Sequence, residues 1–303
     1  MIKVAKSGQK RHKLKKIYRD TIVALAFILP GMIVFFTFRL GAVIFSFYIS
    51  LHKYRLLEEP VFLGLQNFIN ITRNSIFLLT VKNTAYLVAG TVPAIIAISL
   101  TLAIVLNTQL RGRNFFRVLF FSPLMIPLAV AAISWARALD SAWGEWNWLF
   151  GLLGIPSQHW LSDPKQAMIP LIIVNTWRNI GFFMMLFLAG LQDIPRQFIE
   201  SAEIDGASKW ACFWHITLPL LKPVLFFITV MSIINISQVF VTPQIMTEGG
   251  PARATLTVVL HLYRTGFRYY RMGEAAAMSW LLFGVIFTLT ILNRKLFGEE
   301  RRY

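Results

Sequence analysis

Residues 200–219 read ESAEIDGASKWACFWHITLP. An acid, Glu200, opens the stretch. The small residues Ser201 and Ala202 follow, then Asp205-Gly206, and nine residues later Ile216-Thr217-Leu218-Pro219. Pro195, just upstream, suits the first turn of a helix. The spacing predicts a short helix over 196–204, a turn at Asp205-Gly206, and a second helix over 207–216 that stops before Pro219. Glycine at the turn permits the left-handed backbone such a reversal uses. Long apolar segments lie on both sides. The segment 196–220 is therefore a helix–turn–helix hung between two stretches of a very different solvent preference.

Those stretches set the fold class. The chain has 303 residues, of which 56% are hydrophobic, and its mean hydropathy is +0.60. A soluble domain rarely carries so much apolar surface. A bilayer core of about 30 Å needs about 20 apolar residues per helix. Six stretches reach that length, at 21–50, 80–107, 115–138, 167–191, 222–245 and 272–293. None alternates with the period of two that a barrel strand requires. The expected fold is all-α, a polytopic membrane protein with six transmembrane helices and one projecting helix–turn–helix. The first apolar stretch is about twice as long as a secretory core and lacks a clear cleavage site, so it reads as a span. No internal repeat is evident.

The net charge of +16 could suggest nucleic acid, but its placement argues against that. Eight Lys and Arg fall in the first 19 residues, from Lys3 to Arg19, abutting the first span. They read as a cytoplasmic anchor and a contact for anionic lipid, or as a tail with no partner. The expected organisation is a basic tail over 1–20, a membrane domain over 21–297 and a short tail over 298–303. With the N-terminus inside, six spans return the C-terminus inside. The short loop with Arg111, Arg113 and Arg117, the C-terminal Arg294, Lys295, Arg301 and Arg302, and the 196–220 loop all then fall on the cytoplasmic side. The stretch 246–271 disagrees, since it falls outside yet carries Arg253, Arg264, Arg268 and Arg271. A single cysteine, Cys212, excludes an intrachain disulfide and a cysteine metal cluster.

The acids limit the chemistry. All fourteen Asp and Glu lie in loops or at span ends, so no buried mid-membrane carboxylate is available for proton coupling. No phosphate-binding G-x-x-x-x-G-K-[ST] loop, H-E-x-x-H or G-x-S-x-G occurs. His12, His52, His159, His215 and His261 are scattered and read as non-catalytic. No metal site is expected. A transporter of this composition would take its energy from a separate ATPase. A secondary carrier and a membrane-bound enzyme or scaffold are the alternatives, and the acid census and the missing motifs weigh against each in turn.

Polar groups inside the spans mark a candidate path. Asn175, Arg178, Asn179 and Phe182 recur at i, i+3, i+4 and i+7, on one face of the fourth span. Ser232, Asn235 and Gln238 fall near one face of the fifth, with Thr242 beyond. Amides beside an aromatic ring suit a sugar, whose hydroxyls take hydrogen bonds while its C–H face stacks. Interhelical polar packing is the other reading. Arg178 lies eleven residues into its span, where an arginine costs about 2.5–3.5 kcal/mol by insertion scales. It therefore calls for water, a partner's acid or an acidic group on a solute. Trp143, Trp146, Trp148 and Trp160, in the loop 139–166, suit an interfacial aromatic belt or a contact with a docked protein.

The pattern E-S-A-x-x-x-G-x9-I-x-L-P resembles the EAA motif of permease subunits in binding-protein-dependent ABC importers, with Ser201 in place of the first alanine. Other stretches are similar to the maltose-type sugar permeases: Phe62 to Phe68 (FLGLQNF), residues 111–127 (RGRNFFRVLFFSPLMIP), Gly249-Gly250-Pro251, Tyr263 to Phe267 (YRTGF) and Gly273 to Ala277 (GEAAA). The resemblance spans about residues 25–297. It implies a permease subunit of the bacterial inner membrane, paired with a homologous permease, two ATPase subunits and an extracytoplasmic solute-binding protein. ATP and Mg would sit on the ATPase subunits, and this chain would bind no cofactor and catalyse nothing. It implies that Glu200, Ser201, Ala202, Asp205, Gly206, Ile216 and Pro219 couple the spans to the ATPase, and that spans four and five border the transport cavity. A saccharide is the expected solute, an oligosaccharide with an acidic one among the readings; glycerol-3-phosphate or another anion is the alternative.

Overall fold

The computed structural model describes residues 20–55, 58–108 and 111–297. The basic cluster ending at Arg19 and the C-terminal Arg301 and Arg302 lie outside the described residues. The chain opens with α1 (Asp20–Ser50), which includes a π-helical turn at Phe35–Leu40. A two-stranded antiparallel hairpin follows, β1 (His52–Lys53) on β2 (Val61–Phe62), and then α2 (Gln66–Arg73). α3 (Ser75–Asn107) is the longest helix that follows. α4 (Arg113–Phe121) runs into a 3-10 turn at Ser122–Met125 and then α5 (Leu128–Ala138). α6 (Glu145–Leu152) is a short lobe helix ahead of α7 (Met168–Gln192). α8 (Arg196–Ile204) and α9 (Lys209–Cys212) form the projecting loop. α10 (Lys222–Ser237), α11 (Val241–Met246), α12 (Val258–Tyr263) and α13 (Met272–Phe297) complete the chain.

Five helical segments are long and apolar enough to cross a membrane: α1, α3, α7, Lys222–Met246 and Met272–Lys295. The expected third span is instead a pair, Arg113–Met125 and Leu128–Ala138, bent by 96°. Pro123 sits in the 3-10 turn and Pro127 precedes α5 with ψ 127°, so neither proline can continue an α-helical ladder there. The six expected spans are thus five continuous ones and one broken at an elbow.

The elbow is held against α7 by backbone. A Cβ at Gly181 would overlap the Phe120 carbonyl, so only glycine lets the two segments touch there. Ser99 Oγ of α3 donates to Ile180 O at 3.0 Å in the same region. Around this contact sits the core. Leu171, Val174, Phe183 and Phe187 of α7 meet Leu87 and Ile95 of α3, all fully buried. In contrast, none of the apolar window of α1 is buried within the chain, against half of that of α7.

The start of the second span differs from expectation. The second span begins at Ser75, capped by Asn74 Oδ1, which accepts from the Ile76 and Phe77 amides. Asn83 and Thr84 lie well inside the helix. Their side chains are buried because they bind distant backbone: Asn83 Nδ2 donates to Arg253 O and Leu256 O, and Thr84 Oγ1 accepts from Val258 N. Asn67 likewise closes the end of α1, donating to Ser50 O (2.8 Å) and His52 O (2.9 Å). Tertiary hydrogen bonding makes a polar side chain compatible with a span interior.

Candidate functional site: a polar cleft and a projecting loop

The polar face of α7 opens onto a cleft of about 340 Å³. Asn175, Arg178, Asn179 and Phe182 line it from α7, Asn235 and Ile236 from α10, Val239 from the break beyond, and Leu124 and Leu128 from the elbow. Five of the seven residues expected on the path therefore meet in one place. Ser232 and Gln238 do not. Residues three apart on a helix are offset by about 60°, so a 232-235-238 series drifts across too wide an arc for one wall. Ser232 is fully buried within the bundle, and Gln238 stands exposed where α10 ends. Leu124, Leu128 and Val239 had no sequence signal, because they reach the cleft only through the elbow and the helix break.

Hydrogen bonds sort the polar groups of the cleft. Asn175 is buried, and its Nδ2 donates to Leu171 O (2.7 Å) and Thr242 Oγ1 (3.0 Å), tying α7 to α11. Asn179 Nδ2 donates to Asn175 O at 2.7 Å. Those donors are committed to the fold. Among the described residues the Arg178 guanidinium makes no ion pair, and its Nε is buried without a partner. No acid lines the cleft. The open chemistry is thus one guanidinium, the Asn235 amide, free amide oxygens and the Phe182 ring. Such a set donates hydrogen bonds, attracts negative charge and offers a stacking face.

The second feature is the loop between α7 and α10. α8 closes with paired bonds, Ala207 N to Ala202 O (2.9 Å) and Gly206 N to Glu203 O (3.1 Å). This is a Schellman arrangement, and it places Gly206 at φ 84°. No atom lies within 4 Å of a Cβ built there, so the glycine serves backbone conformation and not space. Ser208 Oγ caps α9 through Ala211 N. The second helix does not stop before Pro219. It continues from α9 through a π turn at Phe213–Thr217 into Leu218–Leu220. The wide turn, with Leu218 N bonded to Phe213 O, accommodates a proline that lacks its own amide.

Glu200, Ser201, Asp205, Gly206 and Pro219 are exposed, and Ala202 and Ile216 half-buried. Among the described residues, no side-chain bond or ion pair engages Glu200 or Asp205. Phe198, Ile204, Trp210 and Trp214 are exposed beside them, with Trp210 stacked on Phe213 at 5.9 Å. Apolar rings and free carboxylates on one small projection form a surface suited to a protein partner. Cys212 is buried in this loop.

The aromatic lobe and the basic loop also resolve. Trp146, still exposed, stacks on Trp135 (6.1 Å, 11°) and Trp160 packs against Phe150 (5.9 Å), so both rings also make contacts within the lobe. Trp143 and Trp148 stand free. In the loop after α11, Arg271 pairs with Glu274 at 2.6 Å, and Arg264 donates to Glu248 O at 2.7 Å. Arg253 and Arg268 are exposed.

Residues 95–297 match the family model described as the binding-protein-dependent transport system inner membrane component. The trehalose/maltose transport system permease protein MalF of Thermococcus litoralis is 33% identical over 96% of this chain and 97% of its own. The sn-glycerol-3-phosphate transport system permease protein UgpA of Yersinia pestis bv. Antiqua is 30% identical over 89% of this chain and 91% of its own. In fold, the chain is similar to a crystal structure of a bacterial ABC transporter involved in the import of the acidic polysaccharide alginate. The TM-score is 0.81 at 21% identity, covering 95% of this chain and 99% of that one. With a full-length relative at one-third identity and a family match over two-thirds of its length, the chain belongs to the family of inner membrane components of binding-protein-dependent transport systems.

Proposed function

We propose that the chain is the saccharide-conducting permease subunit of an ABC importer, with the cleft on α7 as part of its path. The observation that carries the reading is the gathering of Asn175, Arg178, Asn179, Phe182 and Asn235 around one opening in an otherwise apolar bundle. The similarity to a trehalose/maltose permease supports a saccharide. In this reading Phe182 stacks against a sugar face, Asn235 binds hydroxyls, and Arg178 meets an acidic group such as a uronate carboxylate through a bidentate fit. A second reading takes the same guanidinium to a phosphate ester, and the similarity to a glycerol-3-phosphate permease favours it.

Exposed surfaces support the remaining assembly. The free apolar face of α1 suits lipid and a homologous permease subunit. The projecting 196–220 loop suits a cleft on an ATPase subunit, with Glu200, Asp205 and Trp210 at the contact. Two such ATPase subunits would hold the ATP and Mg, and this chain would perform no catalysis. Closure of the ATPase pair would move α7 and α10, which flank the loop, as levers on the cleft between them. Both termini and the projecting loop face the cytoplasm of a bacterium, and an extracytoplasmic binding protein delivers the solute to the opposite face.

The test is uptake of a neutral oligosaccharide, a uronate oligosaccharide and sn-glycerol-3-phosphate by cells carrying wild type or Arg178→Gln. Selective loss of the uronate sugar, by about tenfold or more for a buried charged bond, supports the first reading. Selective loss of the phosphate ester moves the assignment to the second. Equal loss of all solutes, or none, removes Arg178 as a charge-selective ligand.

A further inference from the structure

The lobe between α5 and α7 carries an opening of about 510 Å³, larger than the α7 cleft, and it lies at the Met168 end of α7. Ser141, Trp143, Glu145, Asn147, Trp148 and Ser157 are among its lining residues. Small-molecule pockets run from about 300 to 1,000 Å³. Trp143 is 89% and Trp148 66% exposed. Indoles so open to solvent at the rim of one cavity are costly unless something covers them.

The frame behind these rings is rigid. Asp140 Oδ1 accepts from the Ala142 and Trp143 amides, each at 2.9 Å, and fixes the turn that presents Trp143. A Cβ at Gly144 would overlap the carbonyls of Asp140 and Ala138, so the turn admits only glycine. Asn147 is consumed as a clamp: its Nδ2 donates to Gln158 O (2.9 Å) and its Oδ1 accepts from Gln158 N (3.0 Å). Ser157 Oγ donates to Ser141 O at 3.2 Å. In contrast, the Glu145 carboxylate and the Ser141 hydroxyl make no hydrogen bond among the described residues. The opening thus combines fixed walls, two bare indoles, one free carboxylate and one free hydroxyl.

We infer that this lobe is a separate capture site for a neutral pyranose ring of the transported saccharide. The inference rests on the saccharide reading above and does not depend on Arg178. A pyranose presents polarised C–H bonds on one face, which meet the negative face of an indole. Its vicinal hydroxyls are donors for a carboxylate, and Glu145 supplies the acceptor. Glu145 is also the only charged group lining the opening, so a uronate or a phosphate ester is repelled there. The site has opposite charge preference to the α7 cleft. The two are joined by packed rings: Trp146 of the lobe stacks on Trp135, which meets Trp177 edge-on at 5.6 Å, and Trp177 adjoins Arg178.

The experiment uses the assembled transporter in nanodiscs without its binding protein. Saturation-transfer NMR is recorded with trehalose, maltose, lactose and a digalacturonate as probes, and uptake is measured separately in cells that carry the binding protein. Wild type is expected to give signal with at least one neutral disaccharide and none, at this site, with the digalacturonate. Replacing both rings (Trp143→Ala with Trp148→Ala) should weaken the neutral sugar by about tenfold or more, as expected for the loss of two stacking faces. Trp143→Phe with Trp148→Phe should restore most of it, and Glu145→Gln should admit the digalacturonate. Leu153→Ala, exposed in the same lobe but not lining the opening, should leave neutral binding unchanged. Both rings are exposed, so the alanine variant is expected to insert and assemble as wild type. If a sugar is taken up but binds the alanine variant as it binds wild type, the capture site is overturned and the saccharide reading stands. If Leu153→Ala weakens the signal as much as loss of the rings does, the capture site is overturned as well. If wild type neither binds nor takes up any of the sugars, the saccharide reading itself falls, and the capture site with it.

Discussion

The span Lys222–Met246 is entered and left through two loops of opposite character. The loop beyond it is sewn to the bundle from inside: Asn83 holds Arg253 O and Leu256 O, Thr84 holds Val258 N, and Thr255 Oγ1 donates to Gly250 O. Thr255 to Val258 are buried. Among the described residues, the loop before it, 196–220, hydrogen-bonds within itself and to its immediate flanks, Pro195 and Leu221, and Glu200, Asp205, Trp210 and Trp214 are exposed. Both loops carry motif residues, yet the motifs do different work. A polar group whose bonds close within the chain is accounted for by folding. An exposed acid beside exposed tryptophans, held on a well-formed turn, is accounted for by nothing among the described residues, which is why the proposed ATPase contact falls there.

The sharpest break in this comparison sets Asn83→Leu against Glu200→Ala. Asn83→Leu strips the donor from two carbonyls, and each buried unsatisfied group costs roughly 1–3 kcal/mol. A marked drop in the unfolding temperature of the solubilised complex is expected. Glu200→Ala should leave that temperature unchanged while uptake collapses. Were the two variants equally unstable, the distinction between an internal clamp and an external contact would be lost.

Gly206 sharpens the outer half of the comparison. Its φ of 84° costs an L-residue roughly 1–2 kcal/mol, with Asn the best tolerated. Because a Cβ meets open space, Gly206→Asn should keep the turn and most uptake, whereas Gly206→Val should distort it and release the ATPase subunits on purification. Equal failure of both variants would show that the partner packs against the glycine itself. A labelling experiment then fixes the side of the membrane. Cys212 is only 4% exposed, so its silence toward a reagent would say nothing. Trp210→Cys in a Cys212→Ala background places the thiol where Trp210 is 70% exposed. An impermeant maleimide should reach it in inside-out vesicles and not in intact cells. Labelling of intact cells would invert the proposed orientation.

How much of this was legible in the sequence follows from what each residue bonds to. Helix class, the limits of α7 and α8, and the turn at Gly206 depend on local periodicity and caps, which a linear reading contains. The face Asn175-Arg178-Asn179-Phe182 was legible for the same reason. The depth of the elbow was not: Pro123 and Pro127 announce a bend, but 96° is set by the backbone contact at Gly181. Nor was the start of α3 at Ser75, ahead of the expected 80, since the buried polar Asn83 and Thr84 suit a span interior only once their partners 170 and more residues away are known. The run through Pro219 depended on a π turn that has no compositional mark. In the cleft, Ser232 and Gln238 failed because periodicity assigns a face but not its width.

The smallest expected effect lies in the sewn loop and concerns pH. His261 of α12 is partly buried, and its pKa is lowered from the ordinary value of 6.5 first by that burial and then by the nearby charges of Arg253 and Arg264. The fold therefore favours the neutral imidazole. A histidine whose folded pKa lies below its unfolded one binds protons more readily when unfolded. Its contribution to stability is fully present above the unfolded value and is lost as the pH falls through the folded value. The unfolding temperature of wild type should thus decline on acidification from about 6.5 downward, near the unperturbed histidine pKa. His261→Gln should flatten that decline, and Arg253→Gln should reduce it by a lesser amount, since one of the two repelling charges is gone. Glu200→Ala, in the 196–220 loop, should leave the slope as it is. A decline that persists undiminished in His261→Gln would place the titrating group elsewhere and free the sewn loop of any acid sensitivity.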